Sequence, residues 1–237
     1  MDWILIKLSD GFRIFMKAVD SNFIKDDRYL LMLDGLKLTI FVSIFAILLG
    51  VFMGSLAYFL RRSRFKLLRA VGYVYVDIIR GTPTVTQLLI IYFVVFGSVK
   101  NMSGTIAAII AFGFNSGAYV SEIIRAGIQS IDKGQTEAGR SLGLSSRQTM
   151  FFIVVPQAVK NILPALINEF IVLIKETAIM GYIGLQDLTK AGDIIRSVTF
   201  DPYMPLLAPA LVYYIIIKCL TLIMARVERK LRSADAH

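Results

Sequence analysis

Histidine is almost missing from this chain of 237 residues: its single copy is His237, the last residue. Nucleophile–histidine catalysis and histidine metal ligation therefore have no candidates, and we expect neither a catalytic nor a metal site. Cysteine is as scarce. Cys219 stands alone inside the last apolar segment, which excludes a disulfide within the chain and cysteine-rich zinc sites. No Gly-x4-Gly-Lys-Ser/Thr run occurs, so nucleotide chemistry must come from another chain. There is no internal repeat of 20–50 residues, no low-complexity tract and no Pro/Gly/Ser linker, which leaves one domain. The N-terminus also lacks the apolar run of a cleavable signal, because acids and lysines interrupt it every few residues.

What the chain has in abundance is apolar surface. A hydrophobic content of 56% and a mean hydropathy of +0.67 exceed what a soluble domain of this length hides in one core. Windows long enough to cross a hydrocarbon layer as helix occur at 36–60, 70–97, 104–127, 161–184 and 203–225, giving five expected spans. The link after the first holds Arg61, Arg62, Arg64, Lys66 and Arg69 with no acid, and the tail holds Arg226, Arg229, Lys230 and Arg232. Both belong in the cytoplasm by the positive-inside rule, whereas the balanced 1–37 segment and the slightly acidic 185–202 loop fit the outer side. The expected topology has the N-terminus outside and the C-terminus, with its 231–237 tail, in the cytoplasm. A net charge of +9 then reflects this bias and contact with anionic membrane lipid rather than nucleic acid. Ahead of the first span, Ile4, Leu8, Phe12, Phe15 and Val19 recur at helical spacing within an extracytoplasmic 1–34 segment. They suggest an amphipathic helix on the outer leaflet or, equally, a leader packed against the bundle.

Between the third and fourth spans lies a polar, turn-rich insert at 128–160. Helix formers from Gln135 to Leu142 allow two turns ending at Gly143. Ser145 or Ser146 can cap a second short helix that runs to Pro156. The result is a helix–turn–helix standing out of the bilayer. Glu137, Ala138, Gly143, Ile153 and Pro156 resemble the Glu-Ala-Ala-x3-Gly-x9-Ile-x-Leu-Pro loop of ABC importer permeases, with Gly139 for the second alanine and Val155 for the leucine. Gly139 would soften the helix slightly.

The resemblance extends over roughly 35–230. Arg80-Gly81-Thr82-Pro83 with Gln87, Asn115-Ser116-Gly117-Ala118-Tyr119, Glu122 to Gly127, Asn168-Glu169-Phe170 and Lys175-Glu176-Thr177 are similar to the polar amino-acid uptake branch of that family. It implies an all-α membrane protein of the type I ABC importer fold, a non-catalytic permease subunit in a bacterial inner membrane. It also implies two partner ATPase subunits that bind ATP and Mg, a second permease subunit, identical or related, and an extracytoplasmic binding protein. No cofactor is expected in this chain. The segment Glu137, Ala138, Gly139, Arg140, Ser141, Leu142 and Gly143 would be the coupling helix, seated in a cleft of the ATPase. By itself, the spacing of Glu137 and Arg140 reads equally as a solvated ion pair.

Polar residues also fall at membrane depth. At about 1.5 Å per residue, Asn115 and Ser116 on the third span and Asn168 and Glu169 on the fourth reach similar depth. An unpaired carboxylate facing lipid there would cost about 2.5–3.5 kcal/mol, so Glu169 is expected at a cavity or an ion partner. Asn161, Asn168 and Lys175 recur every seven residues with Val172 between, and Asn115, Tyr119 and Glu122 form a stripe on the third span. The expected substrate site is Asn115, Ser116, Tyr119, Asn168, Glu169, Val172 and Lys175. Glu169 would take an ammonium, Asn115, Ser116 and Asn168 a carboxylate, and Gly113 and Gly117 would let backbone approach. The alternative is that Glu169 pairs with Lys175 or a neighbouring helix for structure alone, and that the Asn and Ser side chains merely bond across helices. Arg80, Gly81, Thr82 and Pro83 mark a kink and a candidate gate. Asp77 and Arg80, like Glu122 and Arg125, stand three apart and can pair. A permease for another small polar solute is the nearest other reading; an ion-coupled transporter and a membrane scaffold lack, respectively, inverted repeats and a use for Glu169.

Overall fold

The structure, a computed structural model, describes residues 2–233, and side chains from Asp10 to Arg229 apart from Val227. The side chains of Ile4 and Leu8, and residues 234–237 of the tail with His237, lie outside the described residues. Among the described residues every regular element is helical. They are α1 (Asp2–Val19), α2 (Tyr29–Arg61), α3 (Lys66–Arg80), α4 (Thr84–Leu89), α5 (Gly104–Gln129), α6 (Lys133–Ser141), α7 (Ser146–Thr149), α8 (Val155–Glu176), α9 (Leu188–Thr199) and α10 (Met204–Ser233).

Four helical stretches are long and apolar enough to cross a bilayer: Tyr29–Arg61, Gly104–Gln129, Ser146–Ile183 and Met204–Arg226. The fifth expected span is a broken one. Lys66–Arg80 and Thr84–Val95 meet at 111°. Pro83 supplies no N–H, Gly81 donates to the Asp77 carbonyl, and Thr82 turns its hydroxyl back onto the Ile78 carbonyl (2.9 Å), so α3 closes on itself and a new helix starts. What the sequence marks as a kink is a full change of direction.

The central post is α5, 61% of whose most apolar window is buried, against 11% for Ser146–Ile183 and 6% for Met204–Arg226. It packs along α2 through Gly50 and Gly54 on one helix and Gly113 and Gly117 on the other. A Cβ on Gly54 would lie 2.6 Å from Val120 and 2.7 Å from the Gly117 carbonyl, and one on Gly113 would meet Leu49 at 2.6 Å. In a medium as apolar as leucine, close backbone approach of this kind holds helices together. Gly113 and Gly117, expected to admit substrate, are therefore occupied by Leu49, Met53 and Tyr75. Around this seam Val42, Ala46, Leu88, Ala108, Ala111, Phe112, Leu173 and Met180 form the main core.

The insert differs from expectation at Pro156. Instead of stopping there, the helix that begins at Ser146 runs on through a wider turn at Met150–Val154 into α8. The extra residue in that turn accommodates the proline, which sits in the first turn of α8 where its missing N–H costs least. On the opposite side α1 is helical, and its described side chains from Asp10 to Lys17 are all exposed, so that stretch does not pack against the bundle. The segment after it is pinned by Asn22, buried, whose amide donates to Asp201 (2.7 Å) and the Ala18 carbonyl (2.8 Å).

Candidate functional site: a polar seam, a charged cleft and an exposed loop

The intramembrane polar residues divide into two sets. Asn115 and Ser116 are buried and already engaged: Ser116 Oγ donates to Glu169 Oε1 (2.9 Å), and Asn115 Nδ2 donates to Gln87 Oε1 (3.0 Å). Gln87 in turn gives its amide to the Ile79 carbonyl (2.7 Å) and to Thr82 Oγ1 (2.8 Å), tying the helix break to α5. Thr84 Oγ donates to Glu176 Oε1 (3.4 Å) and ties the same break to α8. Glu169 thus bonds to Ser116 on the neighbouring helix rather than to Lys175. On α8 the second set stays open: Asn168 and Lys175 are exposed and Val172 half-buried. The seam presents a carboxylate beside exposed donors on α8, with Asn115 of α5 held by Gln87 of α4 and Ser116 of α5 held by Glu169 of α8. Gln87, Thr84 and Glu176 complete it; periodicity on the third and fourth spans gives no signal for Gln87 and Thr84, which lie on α4, and Glu176, at the end of α8, falls outside the seven-residue polar spacing.

Tyr119 stands apart from this seam. It lines a cleft of about 430 Å³ with Arg61, Tyr73, Asp77, Arg80 and Glu122. Glu122 is the hub: it bonds to Arg61 and, at 2.7 Å, to Arg125, while Arg80 approaches it at only 3.8 Å. The guanidinium of Arg61 covers the Tyr73 ring at 4.6 Å and that of Arg80 the Tyr119 ring at 5.5 Å. Arg80 is thus drawn toward Glu122 and Tyr119, and the expected pairing with Asp77 is not formed.

The insert presents an ordered loop. Asp132 caps α6 by accepting from the Gly134 N–H (2.6 Å). At its other end Leu144 N donates to the Gly139 carbonyl (3.2 Å) and Gly143 N to the Arg140 carbonyl (3.0 Å), with Gly143 at φ +84°, a left-handed stop that favours glycine. Ser145 and Gln148 cap α7 reciprocally. Arg140 donates to the Leu144 carbonyl (2.6 Å), so the ion pair with Glu137 is replaced by a brace across the turn. Gly139 is buried, and a Cβ there would come within 2.8 Å of Thr149 and Ile153. Rather than softening α6, it lets α6 lie directly on the helix that follows. Glu137, Ala138, Ser141 and Leu142 face outward, Leu142 with 81% of its surface exposed. The loop thus carries an exposed apolar side chain at the end of a polar, capped helix.

A helical membrane bundle with a broken span, an intramembrane polar seam and one capped loop on a single connection has the architecture of a transport subunit. Residues 46–233 match the binding-protein-dependent transport system inner membrane component, and the chain belongs to that family. Among its relatives, the arginine transport system permease protein ArtQ of Bacillus subtilis (strain 168) is 40% identical over 207 residues, covering 86% of this chain and 93% of that protein. The glutamine transport system permease protein GlnP of Escherichia coli (strain K12) is 36% identical over 205 residues, covering 85% and 93%. A crystal structure of an amino acid ABC transporter with histidines superposes with a TM-score of 0.82 at 41% identity, over 88% of this chain and 98% of that one. The inward-facing MetNI methionine ABC transporter shares the fold, with a TM-score of 0.66 at 19% identity over 83% and 92%. The fold is that of a type I ABC importer permease.

Proposed function

We propose that this chain is the membrane-spanning permease subunit of an ATP-driven importer for polar amino acids. The observation that carries the reading is the pairing of an outward-facing, capped α6 loop with a polar seam on the two helices that the loop joins. A partner that displaces α6 displaces the seam, because α6 lies on α7 through Gly139 and α7 continues without a stop into α8.

In this reading two ATPase subunits bind ATP and Mg and grip Glu137, Ala138, Ser141 and Leu142. A second permease copy, identical or related, completes the path, and an extracytoplasmic binding protein delivers substrate. The chain sits in a bacterial inner membrane with its C-terminus and α6 in the cytoplasm. Loaded binding protein and ATP must both favour the outward state, since a ligand shifts an equilibrium only by its differential affinity. The substrate ammonium meets Glu169, and Asn168 and Lys175 meet the carboxylate. Asn115 and Ser116 hold the acceptor side of the seam in place, and the Arg80–Pro83 break is the pivot. Support for the substrate class comes from relatives whose names specify glutamine and arginine transport.

The test is uptake. Proteoliposomes holding this chain with its partner ATPase are given labelled glutamine or arginine, a binding protein and lumenal ATP. Concentrative uptake that needs all three components supports the reading; uptake independent of ATP, or of the binding protein, contradicts it.

A further inference from the structure

The charged cleft at the Arg61–Glu122 end of the bundle adjoins the pivot, but its charged side chains have no task in the transport cycle just described, and their chemistry is specific. Arg80 makes no hydrogen bond among the described residues; its only partners are the distant Glu122 carboxylate at 3.8 Å and the Tyr119 ring. Asp77, one helical turn before it on α3, is exposed in the same cleft and has no partner among the described residues. A loosely held cation and an unpartnered anion three residues apart on one helix are surface neighbours. Two tyrosine rings flank them. Arg61 and Arg80 are balanced by Asp77 and Glu122, so the lining carries no net charge and does not suit a phosphate or an anionic headgroup. It suits a ligand carrying both charges a few ångströms apart, and its volume of about 430 Å³ is that of a small-molecule site.

We infer that this cleft is a second amino-acid site, separate from the Glu169 seam, in which the ligand carboxylate lies on Arg80, its ammonium on Asp77 and its side chain between Tyr73 and Tyr119. The inference rests on the reading of the chain as an amino-acid permease, whose topology puts the cleft at the cytoplasmic end. A ligand there bridges nothing but α3 and α5, beside the break at Pro83. In that topology the site faces amino acid already delivered.

The experiment is equilibrium binding of labelled glutamine to the permease–ATPase complex in nanodiscs, without binding protein. Glu169→Gln weakens the seam about tenfold or more, so the binding that persists at wild-type affinity reports the cleft. In that background Asp77→Asn weakens binding about tenfold or more, the loss expected for one charge-assisted hydrogen bond; Asp77→Glu restores it, and acetate at equal concentration does not displace glutamine. Three results overturn the inference: no residual binding in Glu169→Gln, residual binding indifferent to Asp77→Asn, or displacement by acetate as effective as by unlabelled glutamine, which marks a bare anion site. Should Asp77→Asn disturb folding, Tyr73→Leu is the second variant, and it too must weaken residual binding. The amino-acid reading fails separately, if wild-type proteoliposomes do not take up amino acid.

Discussion

Gly54 and Glu169 show how differently single residues bear on this protein. At Gly54 a side chain has nowhere to go, with Val120 and the Gly117 carbonyl within 2.7 Å of its Cβ position. Gly54→Val is expected to lower stability by about 1–3 kcal/mol, the cost of overpacking, read as an earlier thermal transition in detergent. Glu169→Gln keeps the shape and the Ser116 bond but removes the charge that would meet an ammonium. Its expected effect is a rise of about tenfold or more in the half-saturating amino-acid concentration with little change in stability. Asp187, outside the spans, is fully buried as the cap of α9, accepting from the N–H groups of Thr189 (3.0 Å) and Lys190 (3.2 Å). Burial pushes its carboxyl above the usual range despite those donors. An acid with a raised native pKa holds its proton more tightly folded than unfolded, so its contribution to stability falls as pH climbs from the ordinary aspartate value through the raised one. Compared with Asp187→Asn, the wild type should lose stability over that window, measured as the difference between their unfolding midpoints across pH.

Among the elements, α6 with its two ends is the best defined by local chemistry. Its stop at Gly143 and a serine cap on α7 were legible, because each depends on residues within four positions of one another; the cap at Asp132 and the part of Gln148 in the capping box were not read. The glycine at 139 was legible as a position but not as a contact, since Thr149 and Ile153 lie beyond a turn. Likewise the break at Pro83 could be read from proline and glycine, whereas its size, 111°, depends on what Gln87 and Thr84 reach on α5 and α8. The continuation of α7 into α8 could not be read at all: proline ordinarily ends a helix, and only an extra residue in the preceding turn lets this one pass. The element-scale prediction concerns docking. Leu142→Asp should leave α6 folded, because Leu142 is 81% exposed and contributes little to the bundle, yet it should release the ATPase on co-purification. Retention of the ATPase at wild-type level would remove Leu142 from the contact.

At the scale of the whole molecule, four of the five expected spans and the helical class followed from hydropathy, the second span being a broken pair, and membership of the transport family fits the motif blocks that surround them. The seam was legible in part. Periodicity on two helices located Asn115, Ser116 and Glu169 at one depth, and the structure joins Ser116 to Glu169. The same periodicity put Tyr119 with them, and it does share their face, but it lies four residues, about 6 Å, further along α5, where α3 and Arg80 face it instead of α4 and α8. What connects loop to seam is mechanical continuity: α5 leads into α6, α6 rests on α7, and α7 is one helix with α8. The most direct measurement of that coupling is amino-acid-stimulated ATP hydrolysis in proteoliposomes, comparing wild type with Gly143→Asp and Gly143→Asn. Both variants place a residue that tolerates the left-handed conformation at φ +84°, where no atom lies within 4 Å, so they differ chiefly in charge at the docking face. The account predicts that Gly143→Asn retains most of the stimulation while Gly143→Asp, still in the membrane, loses it; normal stimulated hydrolysis by Gly143→Asp would contradict it.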